Sequence, residues 1–157
     1  MTDNDNNERP FLPPRWFIHV AWKIHRGLYR VSGGRFGLRV PGPARYGMMH
    51  VTTIGRRSGN KRGVILAYFD DGPNLITMAM NGWGAPEPAW WLNLQATPEA
   101  EVQLAHESRS VVGRAATREE RDRLWERWRE YDNNLDGYAQ RRPAETAVVI
   151  LEPQPNK

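Results

Sequence analysis

Cysteine is absent from the 157 residues of this chain, so neither a disulfide framework nor a thiolate metal site can be built from it. The four histidines, His19, His25, His50 and His106, show no ligand spacing such as HxxxH, and a structural metal is not expected. No apolar run is long enough to span a bilayer. The amino terminus, MTDNDNNERP, has no apolar core behind a positive region, the composition a signal peptide requires, which makes a cytoplasmic protein the expectation. The Walker phosphate loop, the GxGxxG dinucleotide fingerprint, the GxSxG nucleophile elbow and HExxH are all missing. With them go the motif-based cases for a P-loop nucleotidase, a Rossmann dehydrogenase, a serine hydrolase and a zinc protease.

What remains is the composition of one globular domain. A length of 157 residues with 39% hydrophobic content fits a single core, since domains commonly run about 100–200 residues. The net charge of +4 rests on arginine far more than on lysine. Such an excess is either a solvated basic surface or a means of holding an anion. Arginine suits phosphate or carboxylate because its planar fork binds two oxygens at once.

Three regions are expected: a disordered polar tail over 1–12, an amphipathic helix with a glycine- and proline-rich connection over 13–47, and a barrel domain over 48–152. After Pro13 and Pro14, the residues Phe17, Val20, Ala21, Ile24 and Leu28 recur at helical spacing, while Arg15, His19, Lys23, Arg26 and Arg30 take other faces. That helix either packs on its own domain or lies peripherally on a membrane surface through residues 15–30, where aromatic residues beside cations suit the interface. Strands are predicted over Met48–Ile54, Arg62–Phe69 and Asn74–Met80, joined by a basic turn and by DDGPN. Pro88 opens a short helix that ends before Pro98. AEVQLAHE and RSVVGRAA form a hairpin about Glu107 and Ser108, and Thr117 with Glu120 makes a capping box ahead of a helix whose apolar face carries Leu124, Trp125 and Trp128. DNNLDGYAQRRP reads as irregular and ETAVVILE as a closing strand. About six strands with short helices between them predict a mainly β, α+β fold, a small closed or nearly closed antiparallel barrel.

Two segments carry the chemistry. The turn inside TTIGRRSGNKR gathers Gly55, Arg56, Arg57, Ser58, Gly59, Lys61 and Arg62. It is a solvated hairpin whose cations discourage edge-to-edge pairing, a nucleic-acid contact, or a phosphate cradle in which glycines allow close backbone approach and arginines add charge-assisted bonds. No RNP-type, helix-turn-helix or zinc-finger pattern accompanies it, which argues against nucleic acid as a partner. In APEPAWWLNL, Trp90 and Trp91 are expected on different sides of a helix, one filling the core and the other free to stack on a planar ring.

Taken in order, TTIGRRSGNKR, LAYF and DDG, PxWWLNL followed by TPEAEV, TREERDRLWER, and a tyrosine-containing loop before AVVILEP resemble the deazaflavin-dependent nitroreductase family. The resemblance covers about residues 48–152. It implies a split β-barrel related to FMN-binding proteins, reduced coenzyme F420 (a deazaflavin with a phosphate and a glutamate tail) as cofactor, and hydride transfer to a small electron acceptor such as a quinone or nitro compound. Some members of that family associate with the membrane through an amino-terminal helix. By motif, Arg56, Arg57, Ser58 and Arg62 would hold the phosphate and acidic tail with Thr53 and Gly55 beside them, Met80, Asn81 and Trp90 would lie along the ring, and Tyr131 and Tyr138 would face the substrate. This chain departs from the family where a lysine followed by glycines is usual and Asn81, Gly82 and Trp83 stand instead, and it carries Asn133 and Asn134 in the tyrosine loop.

Hydride transfer agrees with what the chain lacks, because the cofactor supplies the reactive carbon and the protein supplies orientation. Two other readings keep the fold or the charge: an FMN- or haem-binding barrel, and a non-enzymatic basic module for membrane surfaces or nucleic acid. Monomer and homodimer are both open at this level.

Overall fold

A computed structural model describes residues 14, 16–21, 23–24 and 37–155. The expected tail over 1–12 lies outside them. In chain order the barrel domain runs β1 (Gly47–Ile54), β2 (Lys61–Asp71), β3 (Asn74–Met78), α1 (Ala89–Ala96), β4 (Glu99–Gln103), β5 (Ser108–Ala115), α2 (Arg118–Tyr131), α3 (Leu135–Ala139) and β6 (Val148–Pro153). All strand pairs are antiparallel and the sheet closes in the order β1-β2-β3-β6-β5-β4. Closure between β1 and β4 leaves no open edge between these strands.

Period-two patterning explains why the strands form where they do. Along β1, Gly47, Met49, Val51 and Thr53 are buried and alternate with half-buried residues. The inward set joins Leu66, Tyr68, Leu75, Val102, Val111, Val149 and Leu151 in one core. A second apolar cluster lies outside the barrel, where Phe69, Ile76, Met78, Val148 and Ile150 meet Leu124, Trp125, Trp128 and Leu135 of the two later helices. β6 is therefore apolar on both faces, and VVIL reads as a continuous run because barrel and helices cover opposite sides of it. The capping box forms as expected, Thr117 Oγ1 accepting from Glu120 N and Glu120 Oε2 accepting from Thr117 N.

Several expectations change. β2 starts earlier and ends later than the sequence suggests, because Asp70 and Asp71 still pair with Leu75 and Asn74 and only a tight turn at Gly72 (φ 60°) separates the strands. β3 stops at Met78, and the chain turns away at Met80, whose N–H bonds Met78 O at 2.9 Å. The segment read as irregular contains α3, anchored by buried Leu135 and by Asp136, which accepts from Trp125 Nε1 at 2.8 Å. Both tryptophans of α1 pack in the core, and Trp90 also lines the cleft described below. Trp90 and Trp91 are 7% and 5% exposed and both join the barrel core. α1 is apolar on more than one side and packs flush on β5, where a Cβ on Gly113 would strike the Leu94 side chain.

The amino-terminal helix is described over residues 16–21 and 23–24, which are helical. Ile18 lies against Gly82, whereas Trp16, Phe17, Val20 and Ile24 are exposed. One side of the segment thus rests on its own domain. Among the described residues no helix is long and apolar enough to cross a membrane.

Candidate active site

The basic turn between β1 and β2 is closed by its own backbone. Gly55 N donates to Asn60 O at 2.8 Å and Gly59 N to Gly55 O at 2.7 Å, while Ser58 Oγ accepts from Asn60 N at 3.3 Å. Glycine is needed at position 55, since a Cβ there would lie 2.8 Å from Ser58 Oγ and 3.2 Å from Asn60 O. Gly59 supplies the left-handed residue that reverses the chain (φ 70°).

A side chain that the sequence reading passed over fixes this turn to the barrel. Asn93 is buried in α1, and its Oδ1 accepts from both Arg56 N (3.1 Å) and Arg56 Nη1 (3.2 Å). Its Nδ2 donates to Thr53 Oγ1 at 3.3 Å, and that hydroxyl donates to Arg62 O at 3.4 Å. Thr53 is fully buried, so it supports the turn from behind. The signal in the sequence was one amide inside the apolar run AWWLNL, because a buried amide must find partners.

Arg56, Arg57, Ser58 and Arg62 open onto a cleft of about 600 Å³, together with Gly55 and Asn93. Met80, Asn81 and Gly82 form one consecutive stretch of its wall, and Val64, Ile65, Trp90, Ile18 and His19 also line it. Of the residues singled out by sequence, the structure brings Gly55, Arg56, Arg57, Ser58, Arg62, Met80, Asn81 and Trp90 into this one cleft. Gly63 also lines it, and the space a Cβ would take there is filled by the His50 imidazole. Burial pushes His50 below its ordinary pKa, so the ring is neutral near pH 7.

Tyr131 and Tyr138 are not among the residues lining the cleft. Tyr131 stacks on Phe69 (5.9 Å, 30°) and meets Trp128 edge-on in the cluster outside the barrel. Tyr138 stacks on Trp83 (5.9 Å, 16°), the residue that follows the cleft wall.

Many arginines outside the turn are paired with carboxylates. Arg109 pairs with Glu107, Arg114 with Glu120 and Glu152, Arg121 with Glu145, Arg123 and Arg127 with Asp71, Arg129 with Glu126 and Asp136, and Arg142 with Glu87. Among the described residues Arg56, Arg57 and Arg62 have no such carboxylate, as Arg39, Arg45 and Arg118 also do not, but of these six they are the ones that line the cleft, and all three are exposed. Lys61, beside them, is taken by Glu101 at 3.3 Å. Three arginines without carboxylate partners in the same cleft as Val64, Ile65, Leu66, Met80 and Trp90 suit a ligand with an anionic tail and a flat, weakly polar body. A solvated surface would not need the cleft.

The model of the F420H(2)-dependent quinone reductase family matches residues 21–153. The chain is 29% identical over 132 residues to an F420H(2)-dependent quinone reductase of Mycobacterium tuberculosis, covering 82% of this chain and 87% of that one. Among solved structures, an F420-H2 dependent reductase superposes with a TM-score of 0.61 at 26% identity, over 74% of this chain and all of the other. A domain-swapped dimer superposes with a TM-score of 0.62 at 25% identity, over 87% of this chain and 98% of its own.

Proposed function

Because the chain belongs to the F420H(2)-dependent quinone reductase family, we propose that it is an oxidoreductase that reduces a quinone, or another electron-poor small molecule such as a nitro compound, with reduced coenzyme F420. The observation that carries this reading is the cleft that joins three arginines without carboxylate partners to the apolar side chains of Val64, Ile65, Leu66, Met80 and Trp90.

The donor set suits that cofactor. Arg56, Arg57 and Arg62, with the Ser58 hydroxyl, offer charge-assisted and neutral bonds to a phosphate and a carboxylate tail. Asn93 takes up the Arg56 N–H and one guanidinium N–H, and the remaining donors of that fork are left for a ligand. Met80, Asn81, Ile65 and Trp90 form the less polar stretch that would flank a ring. Bound there, the reduced deazaflavin supplies the hydride. The protein's contribution is orientation and exclusion of water, and Ile18 adds an apolar side chain of the lining to the latter. Tyr138, held flat on Trp83 beside the wall, is the side chain to which we assign a hydrogen bond from Oη to the acceptor oxygen. Tyr138→Phe should then lower turnover with little change in cofactor affinity, and equal turnover would remove the assignment.

The test of the whole reading is a fluorescence titration of the purified protein with F420, with FMN as the parallel arm. Saturable F420 binding that weakens at least about tenfold in Arg56→Ala/Arg57→Ala is expected, since each lost charged hydrogen bond is worth about 1.5–3 kcal/mol. Binding of FMN in preference to F420 would overturn it.

A further inference from the structure

The cleft wall has a backbone that does not hold itself. Gly82 (φ 53°) and Trp83 (φ 58°) are consecutive left-handed residues, and for a side chain as large as tryptophan that conformation is strained. Strain of this kind persists only where surrounding structure imposes it. The Trp83 ring is buried against Tyr138, and that stack secures one side of the loop.

The other restraint comes from Arg142, in the segment between α3 and β6. Its side chain has no exposed surface. Nε donates to Gly84 O at 3.1 Å, Nη1 to Ala79 O at 3.1 Å and to Thr146 Oγ1 at 2.9 Å, and Nη2 to Glu87 Oε1 at 2.9 Å. Ala79 and Gly84 bracket Met80, Asn81, Gly82 and Trp83, so one planar guanidinium spans both ends of the wall. Ala79 is held twice, because its N–H also donates to Ala147 O at 2.9 Å. Burying a guanidinium is costly, and it is tolerated here because one carboxylate and three oxygen acceptors replace its water. Lysine could not reproduce this, since an ammonium lacks the rigid fork that reaches several acceptors at fixed separation. Arg142 lies in neither apolar cluster, and its bonds go to the loop and its own segment, with none to α1 or the basic turn.

We propose that Arg142 is a positioning residue for the reaction. Without itself lining the cleft, it sets the spacing and left-handed course of the wall that carries Met80 and Asn81. The role in turnover rests on the function proposed above, whereas the clamp itself does not.

The experiment compares wild type, Arg142→Lys and, as a control of similar destabilisation, Val111→Ala in the barrel core. Three quantities are read: amide hydrogen exchange of residues 80–84 without cofactor, F420 affinity, and kcat, each well below the thermal midpoint of every variant. Arg142→Lys should speed exchange at 80–84 about tenfold relative to the strands and lower kcat about tenfold or more, as small misplacement at a reacting ring does. F420 affinity should change less than about threefold, because the basic turn holds the tail. Val111→Ala should shift the midpoint and leave wall exchange and kcat near wild type. Unchanged wall exchange in Arg142→Lys, or equal effects in both variants, would overturn the proposal. If Arg142→Lys does not fold, Thr146→Val removes one acceptor from the same guanidinium: faster wall exchange supports the clamp and unchanged exchange overturns it. Wild-type protein that ignores F420 would overturn the proposed function and the role in turnover, while the exchange data, collected without cofactor, would still judge the clamp.

Discussion

Asn93 shows how one side chain couples an element to the site. It sits between α1 and the basic turn, accepting two bonds from Arg56 and donating one to Thr53. In Asn93→Leu, which keeps the volume, the Arg56 N–H loses its partner and the turn loses its tie to the helix. A stability loss of about 1–3 kcal/mol is expected in urea unfolding, with weaker F420 binding in the same preparation. Unaltered affinity would mean that the turn keeps its shape without the helix. The cations of this site are plain in GRRSGNKR, because a glycine-bounded cluster of arginines is visible locally. Asn93 was missed because its partner lies 37 residues away, and nothing in AWWLNL names the group that an amide will meet.

Among the elements, α2 is the one most clearly foreseen and most firmly tied. Thr117 and Glu120 close its first turn, and Arg114 of β5 binds Glu120 through Nη1 at 2.8 Å and Nη2 at 2.9 Å while its Nε reaches Glu152 of β6 at 2.8 Å. The Arg114 guanidinium, helped by the Thr117 N–H, pulls the Glu120 carboxyl from its ordinary 4.5 to about 2. A carboxyl whose pKa is depressed on folding stabilises the fold above its unfolded value, and that contribution is lost as pH falls toward the folded value. Wild type should therefore lose stability between pH 4.5 and about 2. In Glu120→Gln that slope should flatten, from a lower plateau at pH 7. The residual slope belongs to Asp71, depressed by Arg123, and Asp136, depressed by Arg129. Urea midpoints at a series of pH values would show it, and identical slopes would assign the acid limb to other groups. The capping box was legible because its residues are three apart in sequence, whereas α3 was not: Leu135 and Asp136 become helical through Trp125 and Arg129 of the neighbouring helix.

For the molecule as a whole, the net charge of +4 matters less than its distribution. Seven of the described arginines spend their charge on carboxylates, and among the described arginines without a carboxylate partner Arg56, Arg57 and Arg62 are the ones that line the cleft. F420 affinity should therefore fall as salt rises, and the Arg56→Ala/Arg57→Ala variant should lose most of that dependence. The positions of the strands along the chain, the capping box, the basic turn and the family were set by the sequence itself, since each depends on period-two patterning, on residues a few positions apart, or on motifs in a fixed order. What only the tertiary structure decided is contact between distant segments. Barrel closure brings β1 beside β4, and α1 plugs the barrel and buries both of its tryptophans. The same packing sets Arg142 beneath a wall about sixty positions earlier in the chain. A buried polar group takes whichever partner the closed fold delivers, and local sequence does not say which segment that will be.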